Sequence, residues 1–471
     1  MAELATRSKF SNRMAFILAA AASAVGLGNL WRFPYLAAKY GGGTFLLVYL
    51  LLVVTFGFSL MVAEIALGRK TGLSAVAAYR AANKKFAWLG WLTAAIPFII
   101  TPYYSVIGGW VTKYMVSYAT TPAADIAADG YFTGFILSSG PSTYIWFLVF
   151  FACVALVVAF GLKSGIERSN KVLMPLLIFL AVAIFIYVMT LDGSGAGLKY
   201  YLVPSFENYH NVGDFVQLLI AAMGQMFFSL SLAMGIMITY GSYFEKHETI
   251  EKSVRTIEIF DTGIAFLAGL MIIPAIFAVS GDGSAVATHA GPGLMFVVLP
   301  QTFATLGVAG RIIGFVFFAL VFFAALTSAI SLMETCVSIV QDQFKTSRKT
   351  ALISAFAVVA LMGIVVNMGY NVWLGADPMH TIFGTPYQAN QILDFLDFMS
   401  NTVFMPIAAL FTCILVGWVI KPKAIIDEVE EGGVVFKAKG LFSVMIKYVA
   451  PIFTAMILVG YILNTFGVIH L

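Results

Sequence analysis

The chain reads as a succession of long apolar runs separated by short polar connections. Eleven runs reach the roughly 20 residues that an α-helix needs to cross a hydrocarbon core: 14–37, 43–68, 86–118, 143–161, 171–190, 214–243, 255–280, 304–343, 349–367, 390–420 and 445–466. Several exceed one crossing, so their ends must tilt, break or protrude. Two are interrupted near mid-span by small and polar residues, Ala24-Val25-Gly26-Leu27-Gly28-Asn29 in the first and Ser229-Leu230-Ser231-Leu232-Ala233-Met234-Gly235 in the sixth. A lone intramembrane glycine is ordinarily a packing contact between helices. Interruptions in the first and the sixth of eleven spans predict instead two five-helix halves of opposite topology, 14–190 and 214–420, after a tail at 1–13 and before an eleventh helix at 445–466. Unwound backbone is tolerated in a bilayer only where it lines a cavity, so the breaks locate the expected binding site.

The placement of Lys and Arg tests this count. The tail and every second connection hold Arg7, Lys9 and Arg13; Arg69, Lys70, Arg80, Lys84 and Lys85; Lys163, Arg168 and Lys171; Lys246, Lys252 and Arg255; Lys345, Arg348 and Lys349; and Lys421, Lys423, Lys437, Lys439 and Lys447, which is 22 of the 27. Arg32, Lys39, Lys113, Lys199 and Arg311 are left for the alternate connections and the membrane. A missed or extra span would scramble the alternation, so it predicts eleven helices with the N-terminus cytoplasmic and the C-terminus outside. The opening MAELATRSKFSNR is polar and basic with no small-residue cleavage site after it, which reads as a cytoplasmic tail rather than a signal peptide.

Composition narrows the class further. Hydrophobic residues make up 61% of the chain and charged ones 11%, whereas a soluble domain carries about a quarter charged residues. An all-α integral membrane protein is expected, and cytosolic enzymes, nucleic-acid binders and disordered scaffolds are excluded. Cys153, Cys336 and Cys413 lie inside apolar runs and no Asn-x-Ser/Thr sequon occurs, so neither a disulfide framework nor N-glycosylation is expected.

Four stretches carry a resemblance: SAVGLGNLWRFPYLAAKYGGGTF around the first break, PYYSVIGGW in the third span, GQMFFSLSLAMGIMITYGSY in the sixth and FFAALTSAISLMETCVSIVQD in the eighth. Together they resemble the neurotransmitter:sodium symporter family, whose members share the LeuT fold. GLKSGIERSNKVLMP, with its spacing from Gly165 to Pro175, is similar to the family too. The resemblance covers spans one to ten and implies a 5+5 inverted repeat with helices 1 and 6 broken. The short connection at 119–142 and the eleven spans look like the bacterial branch, which implies a bacterial inner-membrane protein. Twelve spans are usual in the family, and the missing one leaves the oligomeric state open.

By this resemblance the chain takes two sodium ions. The first site would use the carbonyl of Ala24, the side chains of Asn29 and Ser229, the Asp261 carboxylate and the carboxylate of the substrate. The second would use the carbonyls of Ala22, Val25 and Ala324 with the hydroxyls of Thr327 and Ser328. The chemistry is reasonable, because sodium is a hard cation that wants several oxygens. Family members commonly carry Asn at the position of Asp261, and chloride-dependent ones add a Ser at that of Ala265. A mid-membrane carboxylate costs on the order of 3 kcal/mol unless paired, and Arg32 is the one basic residue inside a neighbouring span interior. Asp261 is therefore expected to supply the negative charge that chloride supplies elsewhere, and no chloride requirement is expected.

The first break frees the amides of Leu27 and Gly28 beside a half-helix N-terminus, a place suited to a carboxylate. Monoamine carriers of the family place an Asp at the position of Gly26, so glycine there implies an amino-acid substrate. Tyr104 would bind its carboxylate, and the carbonyls of Phe228 and Ser231 its ammonium. Ile100, Tyr104, Phe228, Ser231, Met234, Ser328 and Leu332 would line the side-chain pocket. With no charged group there, neutral and hydrophobic or aromatic side chains are favoured, and the flexible Met234 suits substrates of varied size. Arg32 and Asp397 would form the outer gate above Tyr104 and Phe228. Arg7 and Asp342 would form the inner one with Phe10, Ser242 and Tyr243, and Glu64 would accept amides freed by the breaks.

The expected function is thus a sodium-coupled amino-acid symporter working by alternating access. A proton-coupled transporter and a non-transporting sensor on the same scaffold remain alternatives. An ion channel is disfavoured by the lack of a filter repeat or acid ring, and no nucleophile, base and metal set suggests an enzyme.

Overall fold

Apolar runs of this length cannot leave backbone N–H and C=O groups facing lipid, so they satisfy them internally as helices. The computed structural model describes residues 8–138, 140–206, 209–281, 292–371 and 392–465. Among them the spans are α1 (Arg13–Ala24 and Gly28–Lys39, bent by 53°), α2 (Gly43–Thr71), α3 (Lys84–Thr120), α4 (Ser142–Ala159), α5 (Leu162–Val188), α6 (Val212–Ser229 and Ile236–Ser242), α7 (Ile250–Ser280), α8 (Val308–Phe344), α9 (Arg348–Asn371), α10 (Ile392–Val419) and α11 (Lys439–Gly460). The eleven expected spans are all present, and the chain is an all-α membrane protein with a 5+5 repeat. Each half holds an odd number of crossings, so α6 enters from the side opposite to α1.

Several helix starts differ from the expected ones: α7 begins at Ile250 rather than 255 and α11 at Lys439 rather than 445. α5 starts at Leu162 rather than 171, because Leu162–Glu167 continues the helix as a π-helical segment. Its polar residues had read as a loop, but Glu167 finds partners in Lys171 (2.7 Å) and Ser11 (N at 3.2 Å). The eighth run, expected from 304, starts later: its first residues end a separate short helix, Leu294–Thr305, and α8 begins at Val308 after Gly307 (φ 61°).

Packing sorts the helices into two groups. α2 lies against both halves of α6, and α7 against both halves of α1, whereas α8 runs along α3 and both touch α4 and α9. The approach of α2 to α6 depends on glycine: a Cβ at Gly68 would run into the Ile238 carbonyl, and one at Gly241 into that of Ile65. The two breaks are thereby held at one level, between the groups.

Candidate functional site

The break in α1 begins where Val25 leaves the helix (φ −74°, ψ 103°). The amides that follow lose their helical acceptors and take side chains instead. Gly26 N donates to Asn29 Oδ1 at 3.0 Å, and Leu27 N to the Tyr104 hydroxyl at 3.1 Å. In α6, Ser231 (φ 53°) and Ala233 (φ 61°) adopt left-handed backbone ahead of Gly235, at a cost of about 1 kcal/mol or more each. Ala233 N donates to Glu64 Oε1 at 2.8 Å and Ser231 Oγ to the Ser23 carbonyl at 3.1 Å. Glu64 is wholly buried on α2, so its carboxylate holds the α6 break open, as its position suggested.

A cavity lies between the breaks. Ala24, Gly26, Leu27, Gly28, Ile100, Tyr104, Phe228, Ser229, Ser231, Met234, Ser328 and Leu332 line it, which brings together every residue expected at the substrate site. Ser23, Asn29 and Ile236 complete the lining, and no charged side chain joins them. The cavity measures about 30 Å³, room for one or two waters, so its walls must part for anything larger. The Phe228 carbonyl accepts from Ser231 N at 3.2 Å and also faces the Leu230 N–H.

Asp261 is fully buried on α7 beside this cavity. Its Oδ1 accepts from Asn29 Nδ2 at 2.7 Å and from Ser229 Oγ at 2.9 Å, and its Oδ2 lies 3.0 Å from Ser229 Oγ and 3.5 Å from the Tyr49 hydroxyl. No Lys or Arg among the described residues pairs with it. The geometry thus gathers Asn29, Ser229 and Asp261 at one point. A cation there needs oxygens, and Asn29 now shows Asp261 its amide nitrogen. Turning the amide over would present Oδ1 in its place.

A second set of oxygens joins α1 to α8. Ser328 Oγ lies 3.1 Å from the Val25 carbonyl, 3.0 Å from that of Ser23 and 3.5 Å from that of Ala22. Thr327 Oγ1 donates to the Ala324 carbonyl at 3.0 Å on the same stretch of α8. An uncharged, all-oxygen donor set of this kind suits a hard cation.

The charged residues at the mouths are arranged asymmetrically. Arg32 stands over the Phe228 ring at 5.8 Å and makes no ion pair with Asp397 among the described residues. Asp397 instead accepts from Tyr103 at 3.0 Å and from Asn401 at 2.5 Å. At the opposite mouth Phe10 is buried, with its ring edge-on to Phe16, Tyr240 and Tyr243 and its N–H on the Tyr243 carbonyl at 3.2 Å. Asp342 accepts from Ser74 N at 2.7 Å, Ser242 Oγ donates to Thr239, and Arg7 lies outside the described residues. The Tyr243 hydroxyl donates to Glu334 at 2.8 Å, and Glu334 is clasped by Arg348 at 2.7 and 2.9 Å.

Several of these partners escaped the sequence reading. Gln225 donates to the Gly28 carbonyl at 3.0 Å; its one signal was a polar residue a helical turn before Ser229. Tyr103 and Asn401 adjoin residues that had been singled out, Tyr104 by sequence and Asp397 by one turn. For the Glu334 and Arg348 pair the signal was a second acid and base near Asp342.

The comparisons agree with one another. The sequence pattern described as the Sodium:neurotransmitter symporter family matches residues 7–127 and 138–468. An uncharacterized sodium-dependent transporter of Bacillus subtilis is 33% identical over 98% of both chains. The human sodium- and chloride-dependent GABA transporter 2 is 25% identical over 90% of this chain and 75% of its own. The crystal structure of MhsT in complex with L-phenylalanine superposes with a TM-score of 0.83 at 35% identity, covering 96% of this chain and 99% of MhsT.

Proposed function

Because the chain belongs to the Sodium:neurotransmitter symporter family, we propose that it carries neutral, hydrophobic or aromatic L-amino acids together with sodium, by alternating access across a bacterial inner membrane. The observation that supports this most is the convergence of two oxygen clusters and two freed amides on a cavity with no charged side chain. The likeness to MhsT, solved with L-phenylalanine, favours the same substrate class.

Sodium at the first site would be held by Asp261, Ser229, Asn29 with its amide turned, and the Ala24 carbonyl. The second ion would sit among the carbonyls of Ala22, Val25 and Ala324 and the hydroxyls of Thr327 and Ser328. The substrate carboxylate enters between Leu27 N and Tyr104, parting the bond they now share, and adds an oxygen to the first ion. Its ammonium would donate to the carbonyls of Phe228 and Ser231. Ile100, Met234 and Leu332 receive the side chain by moving apart. Asp261 carries its own negative charge to the ion, so chloride is not needed, in contrast with the human relative named for it.

In this state the outer charges, Arg32 and Asp397, are apart, while Phe10 and Tyr243 close the cytoplasmic mouth. Closing over a bound substrate would bring Arg32 to Asp397; opening inward would withdraw Phe10 and part the contacts of Asp342. The halves 14–190 and 214–420 supply the two breaks, and the N-terminus is cytoplasmic with the C-terminus outside. Uptake of a panel of amino acids into proteoliposomes, with and without an inward sodium gradient, tests the reading. Equal uptake in sodium and in choline overturns it, and a proton gradient that substitutes fully for sodium favours proton coupling.

A further inference from the structure

A second cavity, of about 500 Å³, opens where α3, α8 and α9 meet, and shares no lining residue with the cavity between the breaks. One face of α3 (Trp91, Ala94, Phe98) forms one wall, Val358 of α9 the other, and Ile339 of α8 the floor. Three alanines, Ala94, Ala95 and Ala355, leave the space that larger side chains would fill. Apart from Thr346 and Ser354 the lining is apolar, and Trp91 and Val358 are close to half exposed, at 46% and 44%. A lipid-facing groove of this kind is filled by hydrocarbon.

The charges that adjoin the groove along the chain say which lipid, with Lys345 lying between the lining residues Phe344 and Thr346. Lys84 and Lys85 begin α3, and Lys345 and Lys349 flank the turn from α8 to α9. All four are exposed and have no acidic partner among the described residues. Asp342, the nearest acid in sequence, accepts from Ser74 N, and Glu334 is taken by Arg348. Six residues of helix separate Lys85 from Trp91, a rise of about 9 Å, which sets the ammonium groups at headgroup depth when the groove lies in the acyl region. Uncompensated lysines beside an apolar crevice between helices match an anionic headgroup with its chain.

We propose that this groove is a binding site for an anionic glycerophospholipid, one acyl chain lying between Trp91 and Val358 and the phosphate among Lys84, Lys85, Lys345 and Lys349. The site is distinct from the transport path, but its floor and one rim belong to α8, the helix that carries Thr327 and Ser328. Trp91 is a built-in reporter. The protein is placed in phosphatidylcholine nanodiscs containing a minor fraction of either brominated phosphatidylglycerol or brominated phosphatidylcholine, and fluorescence quenching is compared between the wild type and Trp91→Phe. The Trp91-dependent quenching should be stronger with the brominated phosphatidylglycerol. Replacing the four lysines by Gln, a surface change, should reduce that preference by about fivefold per lysine. Ala355→Phe should abolish the preference by filling the groove, leaving the equal quenching of boundary lipid. Equal quenching of the wild type by the two lipids means ordinary boundary lipid and overturns the proposal, as does a preference that survives loss of the lysines. Protection of Trp91 from both lipids with a doubled particle mass means that a second copy covers the groove, and this also overturns it.

Discussion

A methyl group at residue 26 would have no room: a Cβ there would lie 2.5 Å from Ser328 Oγ and 2.7 Å from the Tyr104 hydroxyl. Gly26→Ala should therefore push both groups off the α1 carbonyls and the Leu27 amide, and lower sodium-dependent uptake by at least about tenfold, a loss of 1.4 kcal/mol. Uptake at the wild-type rate in that variant would mean that the Tyr104 contact plays no part in binding. Asp261 makes the complementary case. It is a carboxylate accepting from Asn29, Ser229 and Tyr49 with no cationic side chain among the described residues paired to it. Asp261→Asn keeps the oxygen and loses the charge, so half-saturation by sodium should shift upward by about tenfold or more. Sodium-dependent substrate binding by the wild type should be the same in chloride and gluconate, and Asp261→Asn with Ala265→Ser should recover in chloride alone. Collapse of wild-type binding in gluconate would defeat the reading of Asp261 as the resident charge. Gly26 and Asp261 were legible in the sequence because each contradicts its surroundings, a gap in a helix and an acid in an apolar run. Gln225, Tyr103 and Asn401 were not, because what gives each its place is a carbonyl or carboxylate on another helix, which no spacing along the chain records.

At the scale of helices, the breaks were legible and their supports only in part. Polar, glycine-containing interruptions at matching places announced that α1 and α6 unwind, but nothing local explains why Ser231 and Ala233 stay in left-handed backbone. The reason is on α2, where Glu64 takes the Ala233 amide. Glu64→Ala would leave that buried N–H unpaired, at about 1–3 kcal/mol. The α6 break should then relax toward helix, lowering thermal stability in detergent together with substrate affinity, whereas Glu64→Gln keeps an acceptor and should restore much of both. Equal thermal stability of Glu64→Ala and the wild type would show that the break stands without its carboxylate. Helix ends were the least legible feature. Lys163, Ser164, Glu167 and Arg168 looked like a connection because they are polar, yet α5 runs through them, since a helix that leaves the bilayer can keep its polar residues solvated or paired with Lys171 and Ser11.

Over the whole molecule, the proposed sites would couple the two cargoes by sharing ligands across the interface between the helix groups. Tyr104 on α3 now bonds Leu27 at the α1 break, and Ser328 on α8 bonds the Val25 carbonyl on the other side of that break. Each joins the α3 and α8 group to the α1, α2, α6 and α7 group, so whatever binds between them biases both. A substrate carboxylate that replaces the Tyr104 to Leu27 bond and touches the first sodium gains from that ion, and the ion gains equally from the carboxylate. Linkage requires the two effects to be the same factor. Titrating an aromatic amino acid at low and saturating sodium, and sodium at zero and saturating amino acid, should give matching shifts of about 5- to 150-fold, the usual range of such couplings. The matching amine, which lacks the carboxylate, separates shared ligation from general rigidification of the site. If the carboxylate is the link, the amine should bind weakly and show no sodium dependence. If sodium acts by ordering the breaks alone, the amine should show the full shift, and the shared-ligand account of coupling would then be wrong.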